Sequence, residues 1–219
     1  MLKYSEFIKE LNSTTFINEI QNNTLNYNDI KDTLCVVGES GHGKSTTVKK
    51  VLENYNNVDY RYIIPTTSTS GLLYQYSTIS GSYVPSTMCK LINNAQSNPN
   101  KVYIAVIDEC HKQTTLNMIN DELLQALSTE RNNGNRVISN LYVNKDGNSL
   151  YPNLEKDEFG RLKLPDNFGI ILISSKLDVI KNNDDLYNRI KNNIIELPHH
   201  KTLESNPIKT IQDLKMYKL

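Results

Sequence analysis

The sequence predicts an α/β protein with three layers (αβα), in which helices cover both faces of a central, mostly parallel sheet of five strands. The first observation is a set of short apolar runs typical of buried strands, at 34–37, 59–64, 101–107, 168–173 and 193–197. The second is a set of segments with helical spacing between them, at about 45–53, 86–95, 118–131 and 183–192. This alternation favours a parallel sheet, because parallel neighbours need a crossover connection, usually a helix.

A glycine-rich loop follows the first of these strands. Residues 38–45 read GESGHGKS and match the pattern G-x-x-x-x-G-K-[ST] at every fixed position. In such a loop, successive backbone N–H groups point at a polyphosphate, and glycines avoid a Cβ that would obstruct its path. The helix that follows directs its positive end at the same anion. The pattern therefore predicts a nucleotide-binding loop made of Gly38, Glu39, Ser40, Gly41, His42, Gly43, Lys44, Ser45 and Thr46.

An acidic pair ends the third predicted strand, within the stretch KVYIAVIDECH at 101–111. The apolar run delivers Asp108 and Glu109 to the carboxyl edge of the sheet, where open α/β sheets bind ligands. Beside a phosphate loop, we expect Lys44 to contact the β- and γ-phosphates. Ser45 and Asp108 are then expected to hold Mg²⁺, and Glu109 to polarise the attacking water.

The expected substrate is therefore ATP, with Mg²⁺ as cofactor. Two interpretations of the next histidine, His111, stay open: it couples hydrolysis to a neighbouring element, or it is a solvent-facing loop residue.

Three further stretches complete the expected core. Residues 66–85 favour a structured insertion over a flexible linker, because Tyr74, Tyr76, Ile79 and Tyr83 are too apolar for a spacer. The segments 137–143 and 159–164 predict a hairpin with a turn signal at 146–147. The strand at 168–173 ends in Ser174 and Ser175. One interpretation is that their hydroxyls hold the attacking water; the alternative is that they simply end the strand.

Composition limits the classes of function. The chain has 219 residues, with 24 basic and 24 acidic side chains, so no overall positive charge recommends nucleic acid as the partner. Its three cysteines are odd in number and widely spaced, which argues against a disulfide framework or a zinc site. No stretch nears the ~18 apolar residues of a membrane span. We expect a soluble, intracellular, cytoplasmic protein with no membrane partner, from an AT-rich genome, a viral or phage genome included.

The order of these parts resembles the core of AAA+ ATPases, and within them the branch that contains MoxR, McrB and dynein-type modules. Besides the phosphate loop, the stretch 71–92 resembles the helix-2 insertion of that branch, 108–131 its Walker B strand and following helix, and 164–178 its sensor 1 region. The likeness covers about residues 30–198. It implies a P-loop NTPase fold and a division into an N-terminal helical arm (1–30), a core (31–198) and a C-terminal tail (199–219).

The resemblance also implies roles for individual residues. Ser175 lies at the sensor 1 position and would orient water, with Ser174 as the nearest substitute. Arg189 lies where this family places the arginine finger that reaches into a neighbour's site, so activity would require a homo-oligomeric ring or a hetero-oligomer. A surface helix arginine is the alternative for Arg189.

The chain departs from the family at its C-terminal end. Only 21 residues follow Pro198, and none is arginine. The helical lid and its sensor 2 arginine are therefore lacking, so either the chain is cut before the lid or it is a minimal version with weaker nucleotide gating.

The function expected is ATP hydrolysis that moves or remodels a macromolecule, either protein or nucleic acid. One alternative is a nucleic-acid motor, because residues 108–111 have the D-E-x-H form of helicases. A helicase needs a second lobe that this length excludes, so single-lobed viral DNA-packaging ATPases are the closer variant. The other alternative, motivated by the missing sensor 2 arginine, is a nucleotide-gated switch or assembly subunit with little turnover. A nucleoside kinase is disfavoured, because its acceptor-site signatures are not evident.

Overall fold

The computed structural model of the protein describes residues 23–65, 71–127, 136–138, 155–198 and 208–219. Its strands are β1 (Leu34–Val37), β2 (Val58–Ile63), β3 (Tyr74–Ser77), β4 (Ser82–Pro85), β5 (Val102–Ile107), β6 (Val137–Ile138), β7 (Leu162–Lys163), β8 (Phe168–Ser174) and β9 (Ile194–Glu196). Its α-helices are α1 (Lys44–Glu53), α2 (Thr87–Ser97), α3 (Gln113–Met118), α4 (Leu177–Lys181), α5 (Asp184–Ile190) and α6 (Ile211–Lys215).

Five strands form the central sheet, in the spatial order β2, β5, β8, β1, β9, and every neighbouring pair is parallel. The three middle strands of this order, β5, β8 and β1, are buried along their whole length. Continuous apolar runs of this kind suit strands that are covered on both faces. The predicted α/β class and the five-stranded sheet are confirmed, and the sheet is wholly parallel.

Alternate residues of the central strands enter two separate cores, because successive side chains point to opposite faces of a sheet. Cys35, Ala105 and Leu172 pack on one face with the apolar residues of α2, α3 and α5. Val36 and Ile104 pack on the other face with those of α1 and α6. Helices thus cover both faces, an arrangement compatible with the predicted three-layer αβα fold.

The strand order brings three loops to one place. Strand β8 lies between β1 and β5, so the segments after these three strands leave the same carboxyl edge side by side. Backbone hydrogen bonds continue the pairing past the strand ends: the N–H of Asp108 donates to Ile63 O, and that of Cys110 donates to Ile173 O. The acidic turn is therefore fixed on both sides.

The predicted insertion after β2 contains an antiparallel hairpin of β3 and β4. Its base is held by Glu122, whose carboxylate oxygens accept hydrogen bonds from the N–H groups of Leu72 and Leu73 at 2.9 and 2.8 Å. Ser86 caps α2 and also donates to Leu72 O. The described part of the insertion is thus structured, as predicted; residues 66–70 lie outside the described ranges.

The helix expected at 118–131 differs in the structure, and its predicted start at Met118 is wrong. Helix α3 begins at Gln113 and continues as a π-helical turn (Ile119–Leu123) and a 3₁₀ turn (Leu124–Ala126). Glu122, near the predicted start of this helix, is buried and faces the hairpin base. Residues 128–131 lie outside the described part of the chain.

Other predicted boundaries shift by small amounts. Strands β6 and β7 pair in antiparallel fashion, as expected of the hairpin, although the turn at 146–147 lies outside the described residues. Helix α5 agrees with the pattern at 183–192, whereas the short helix α4 was not predicted. Most of the N-terminal arm, residues 1–22, lies outside the described ranges.

The described end of the C-terminal tail packs on the core. Ile211 and Leu214 of α6 are fully buried among residues of the α1 face. The N–H of Glu196 in β9 donates to Tyr217 O, and that of Leu219 donates to Ile194 O. Within the described residues, no helix has the length and apolar character needed to cross a membrane.

Candidate functional site

A cavity of about 370 Å³ lies at the carboxyl edge of the sheet, where the loops after β1, β5 and β8 meet. It is lined by residues of the glycine-rich loop, of the acidic turn and of the end of β8: Ser40, Gly41, Gly43, Lys44, Ser45, Thr46, Asp108, Glu109, His111 and Ser175. The structure therefore brings together most of the residues that the sequence predicts for a nucleotide site.

A larger cavity, of about 570 Å³, lies near the amino ends of β5 and β8, around Arg136 and Asn167. None of the predicted site residues lines it. We therefore place the candidate site in the smaller cavity.

Three glycines of the glycine-rich loop (Gly38–Ser45) have positive φ angles, and at Gly38, with a φ of +154°, a Cβ would also lie 3.2 Å from Leu197 O. Gly41 and Gly43 have φ angles of +84° and +75°, a region in which an L-residue is strained. A Cβ at either position would meet no other protein atom within 4 Å. At Gly41 and Gly43, glycine is therefore required by the backbone conformation and not by crowding from other protein atoms.

Lys44 is the first residue of α1, and its side chain folds back over the loop. Its ammonium donates hydrogen bonds to Gly38 O and Glu39 O, both at 2.8 Å. Burial lowers the pKa of Lys44, and the nearby carboxylates of Asp108 and Glu109 act against this shift. The site thus holds a largely buried cation beside the N–H groups at the start of a ten-residue helix, a combination that suits a bound anion.

Ser45 and Asp108 form the contact between the loop and the acidic turn. Ser45 Oγ donates to Asp108 Oδ2 at 2.6 Å, and Asp108 Oδ1 accepts from the N–H of Glu109 at 2.7 Å. Hydroxyl and carboxylate oxygens are the hard ligands that Mg²⁺ prefers. A bound Mg²⁺ usually has few protein ligands and completes its coordination shell with water and phosphate oxygens. Among the described residues, no group of three or more His, Cys, Asp or Glu side chains could hold a metal by itself.

Glu109 has an unusual backbone. Its φ of +60° is the one positive φ of a non-glycine residue in the described ranges, a conformation that costs about 1–3 kcal/mol. Its carboxylate, 39% exposed, lies 3.4 Å from His111 Nε2 and 3.3 Å from Lys112 Nζ. Strain of this kind is often found at functional sites.

His111 lines the cavity, and the solvent-facing interpretation of this residue is wrong. Its side chain is only 16% exposed. The Oγ of Ser175 lies 3.1 Å from Nδ1 and 3.2 Å from Nε2 of the ring. In the sequence, His111 is marked by its place directly after the residues Asp-Glu-Cys that end a strand. Its partner Ser175 is 64 positions away, so no local pattern indicated that contact.

The other predicted residues have varied positions. Ser175 lies in the cavity, whereas Ser174 is fully buried, with its hydroxyl bonded to the backbone of Lys176. Gly38, Glu39 and His42 belong to the loop but do not line the cavity. Arg189, on α5, does not line it either. A finger role would act on a neighbouring subunit's site, so it stays a prediction.

Comparison with known proteins adds no assignment. No protein-family model matches this chain, and no curated protein matches it at a significant level.

Proposed function

We propose that the protein is an ATP-hydrolysing P-loop enzyme of the AAA+ type, which uses phosphoryl transfer to move or remodel a macromolecule. The observation that carries the proposal is the hydrogen bond between Ser45 and Asp108. This bond joins the glycine-rich loop, which would bind phosphates, to the acidic turn, which would bind a metal ion. Both line one cavity, together with Lys44, Glu109 and Ser175. Phosphoryl transfer needs this combination of anion binding, metal binding and water positioning.

The phosphates would be bound by the N–H groups of the glycine-rich loop and by Lys44. In the present structure Lys44 rests on two backbone carbonyls of the loop, which hold its charge close to where the phosphates would lie. The cavity, about 370 Å³, falls within the roughly 300–1,000 Å³ typical of small-molecule sites.

Ser45 and Asp108 would hold Mg²⁺, which when bound neutralises charge on the phosphate oxygens. Glu109 would accept the proton of the attacking water, and Ser175, across the cavity, would orient that water. Both residues come from strand ends that flank one another in the sheet. Their separation is therefore set by strand pairing.

Nucleotide affinity tests the first half of this proposal. Replacing Lys44 with Ala should weaken Mg·ATP binding by about 10–100-fold, the equivalent of losing charge-assisted hydrogen bonds. The matched control is Lys49→Ala, on the same helix but solvent-exposed and paired with Glu53, which should leave affinity unchanged. Isothermal titration calorimetry measures both. Equal affinities for wild type and Lys44→Ala would contradict the proposed site.

A second candidate function is a nucleotide-gated switch with little turnover. The observation that favours it is the lining of the cavity, which among the described residues includes no arginine. A site without an arginine to stabilise the transition-state charge turns over slowly unless a neighbouring subunit supplies one. Tight Mg·ATP binding without phosphate release, also in the assembled state, would select the switch over the hydrolase.

The proposed oligomer is tested by light scattering with and without a non-hydrolysable ATP analogue. If Arg189 completes a neighbour's site, the analogue should produce a defined larger species, and Arg189→Ala should lower turnover without lowering nucleotide affinity. A monomer under both conditions would contradict the role of Arg189 in trans.

A further inference from the structure

His111 lies where the proposed water-activating residue and the proposed water-orienting residue meet. The turn that carries it is fixed against the neighbouring strand, because the N–H of Cys110 donates to Ile173 O at 2.9 Å. Cys110 itself is fully buried, and its Sγ donates to Ile107 O at 3.1 Å. The turn that carries the ring is therefore held beside the end of β8, where Ser175 follows.

The hydrogen bonds around His111 indicate which ring nitrogen carries the proton. The backbone N–H of Ser175 donates to Nδ1 at 3.4 Å. A nitrogen that accepts a hydrogen bond must present its lone pair, so a neutral ring has its proton on Nε2. Nε2 is the atom that lies 3.4 Å from Glu109 Oε2, and the hydroxyl of Ser175 lies 3.1 Å from Nδ1 and 3.2 Å from Nε2. The chain of contacts runs from the backbone of Ser175, through the ring, to the carboxylate of Glu109.

We propose that His111 is a positioning residue that donates a hydrogen bond from Nε2 to Glu109 and so holds this carboxylate at a fixed place relative to Ser175. The inference rests on the proposed hydrolytic function and adds a residue to its machinery. In metal sites, similar outer contacts fix the histidine and carboxylate ligands, and their loss typically costs about 10–100-fold in metal affinity or activity.

The other partner of Glu109 is less suited to this task. Lys112 is 53% exposed, and an exposed ion pair with a long side chain fixes geometry poorly and contributes little. His111 has a short, mostly buried side chain bonded to a backbone group. Glu109 has a left-handed backbone, and its carboxylate lies within 3.4 Å of His111 and 3.3 Å of Lys112.

Two substitutions separate the two hydrogen bonds of the ring. Glutamine at this position carries a donor near the place of Nε2, whereas asparagine carries an acceptor near the place of Nδ1. We expect His111→Asn to lower kcat for ATP by about 10–100-fold, with KM changed by less than about twofold. His111→Gln should recover much of the loss. The control Lys112→Ala should stay within about threefold of wild type, as for an exposed pair.

These kinetics can overturn the proposal directly. Equal kcat values for His111→Asn, His111→Gln and wild type would show that the ring does not position Glu109. A loss confined to KM would assign His111 to nucleotide binding and would equally contradict the proposed role.

A second measurement needs neither turnover nor a variant. In ¹⁵N NMR of the histidine-labelled wild-type protein, the neutral form of the His111 ring should have the nitrogen shifts of the Nε2-protonated tautomer. The Nδ1-protonated tautomer, or the averaged shifts of a free ring, would overturn the inference even in an active enzyme. The predicted tautomer in a protein that hydrolyses no nucleoside triphosphate would instead overturn the proposed function, and the catalytic role of His111 with it.

Discussion

Glu109 combines a strained backbone with the proposed catalytic carboxylate. In the middle of a helix or strand, a protein with Ala is more stable than one with Gly by about 0.5–1 kcal/mol. At a φ of +60° the order should reverse, because glycine adopts this region without the penalty of about 1–2 kcal/mol that a Cβ incurs. We predict that Glu109→Gly has a free energy of unfolding about 1 kcal/mol above that of Glu109→Ala. Urea denaturation of the two variants measures this difference, and the ordinary order, with Ala more stable, would show that the turn is unstrained.

Individual site residues differed in how well the sequence could predict them. Lys44 and Ser45 belong to one continuous pattern, and Asp108 follows an apolar run, so local signals sufficed. The role of His111 depends on Ser175, and that of Glu122 on the N–H groups of Leu72 and Leu73; these partners lie 64, 50 and 49 positions away. No local pattern specifies contacts at such separations.

At the scale of elements, the base of the β3–β4 hairpin depends on one buried carboxylate. Glu122→Ala would leave the buried N–H groups of Leu72 and Leu73 without acceptors, at a cost of about 1–3 kcal/mol each. We therefore predict a loss of about 2 kcal/mol or more in the free energy of unfolding at neutral pH. The neighbouring exposed residue is the control, and Asp121→Ala should change stability by less than about 0.5 kcal/mol. Equal stabilities of the two variants would contradict this role.

The same residue gives a dependence on pH. Burial raises the pKa of Glu122, although the hydrogen bonds from Leu73 and Leu72 lower it in part. The folded protein therefore binds this proton more tightly than the unfolded chain does. Proton binding by Glu122 therefore stabilises the folded protein. This stabilisation is fully present below the pKa that Glu122 has in the unfolded chain, and it is lost as the pH rises through the higher pKa of the folded protein. Urea titrations of wild type across acidic pH should show this fall, and Glu122→Ala should lack it.

The helices and strands also show why the first and last residues of an element were harder to predict than its presence. Helix α3 starts with the polar residues Gln113 and Thr114, so the apolar spacing pointed to a later start at Met118. The π-helical turn at Ile119–Leu123 contains Glu122, whose hydrogen bonds to Leu72 and Leu73 are tertiary contacts without a local signature. Strands β5 and β8, in contrast, are continuous apolar runs, and their bounds agree closely with the prediction.

At the scale of the whole molecule, the C-terminal helix α6 completes the second core. Leu214 is fully buried on the α1 face, while Met216, two residues later, is 81% exposed. We predict that Leu214→Ala lowers the free energy of unfolding by about 2–5 kcal/mol and that Met216→Ala changes it by less than about 0.5 kcal/mol. Chemical denaturation compares the two. Equal stabilities would mean that this segment does not belong to the folded core.

The order of the strands in the sheet could not be predicted from the sequence. Apolar runs indicate how many strands are buried, but they do not say which strands are neighbours. The place of β8 between β1 and β5 decides that Ser175 faces the glycine-rich loop and the acidic turn together. The site is thus a property of the sheet as a whole, built from three strand ends that are distant in the chain.

The central claim is that Lys44, Ser45, Asp108 and Glu109 form a hydrolytic site, and phosphate release from ATP tests it most directly. The measurement compares wild type with Glu109→Gln, at the same high protein concentration, with and without Mg²⁺. We predict release by wild type that requires Mg²⁺ and falls by about 100-fold or more in Glu109→Gln, while ATP binding is retained. Wild-type release no greater than that of Glu109→Gln, at every concentration tested, would contradict the account.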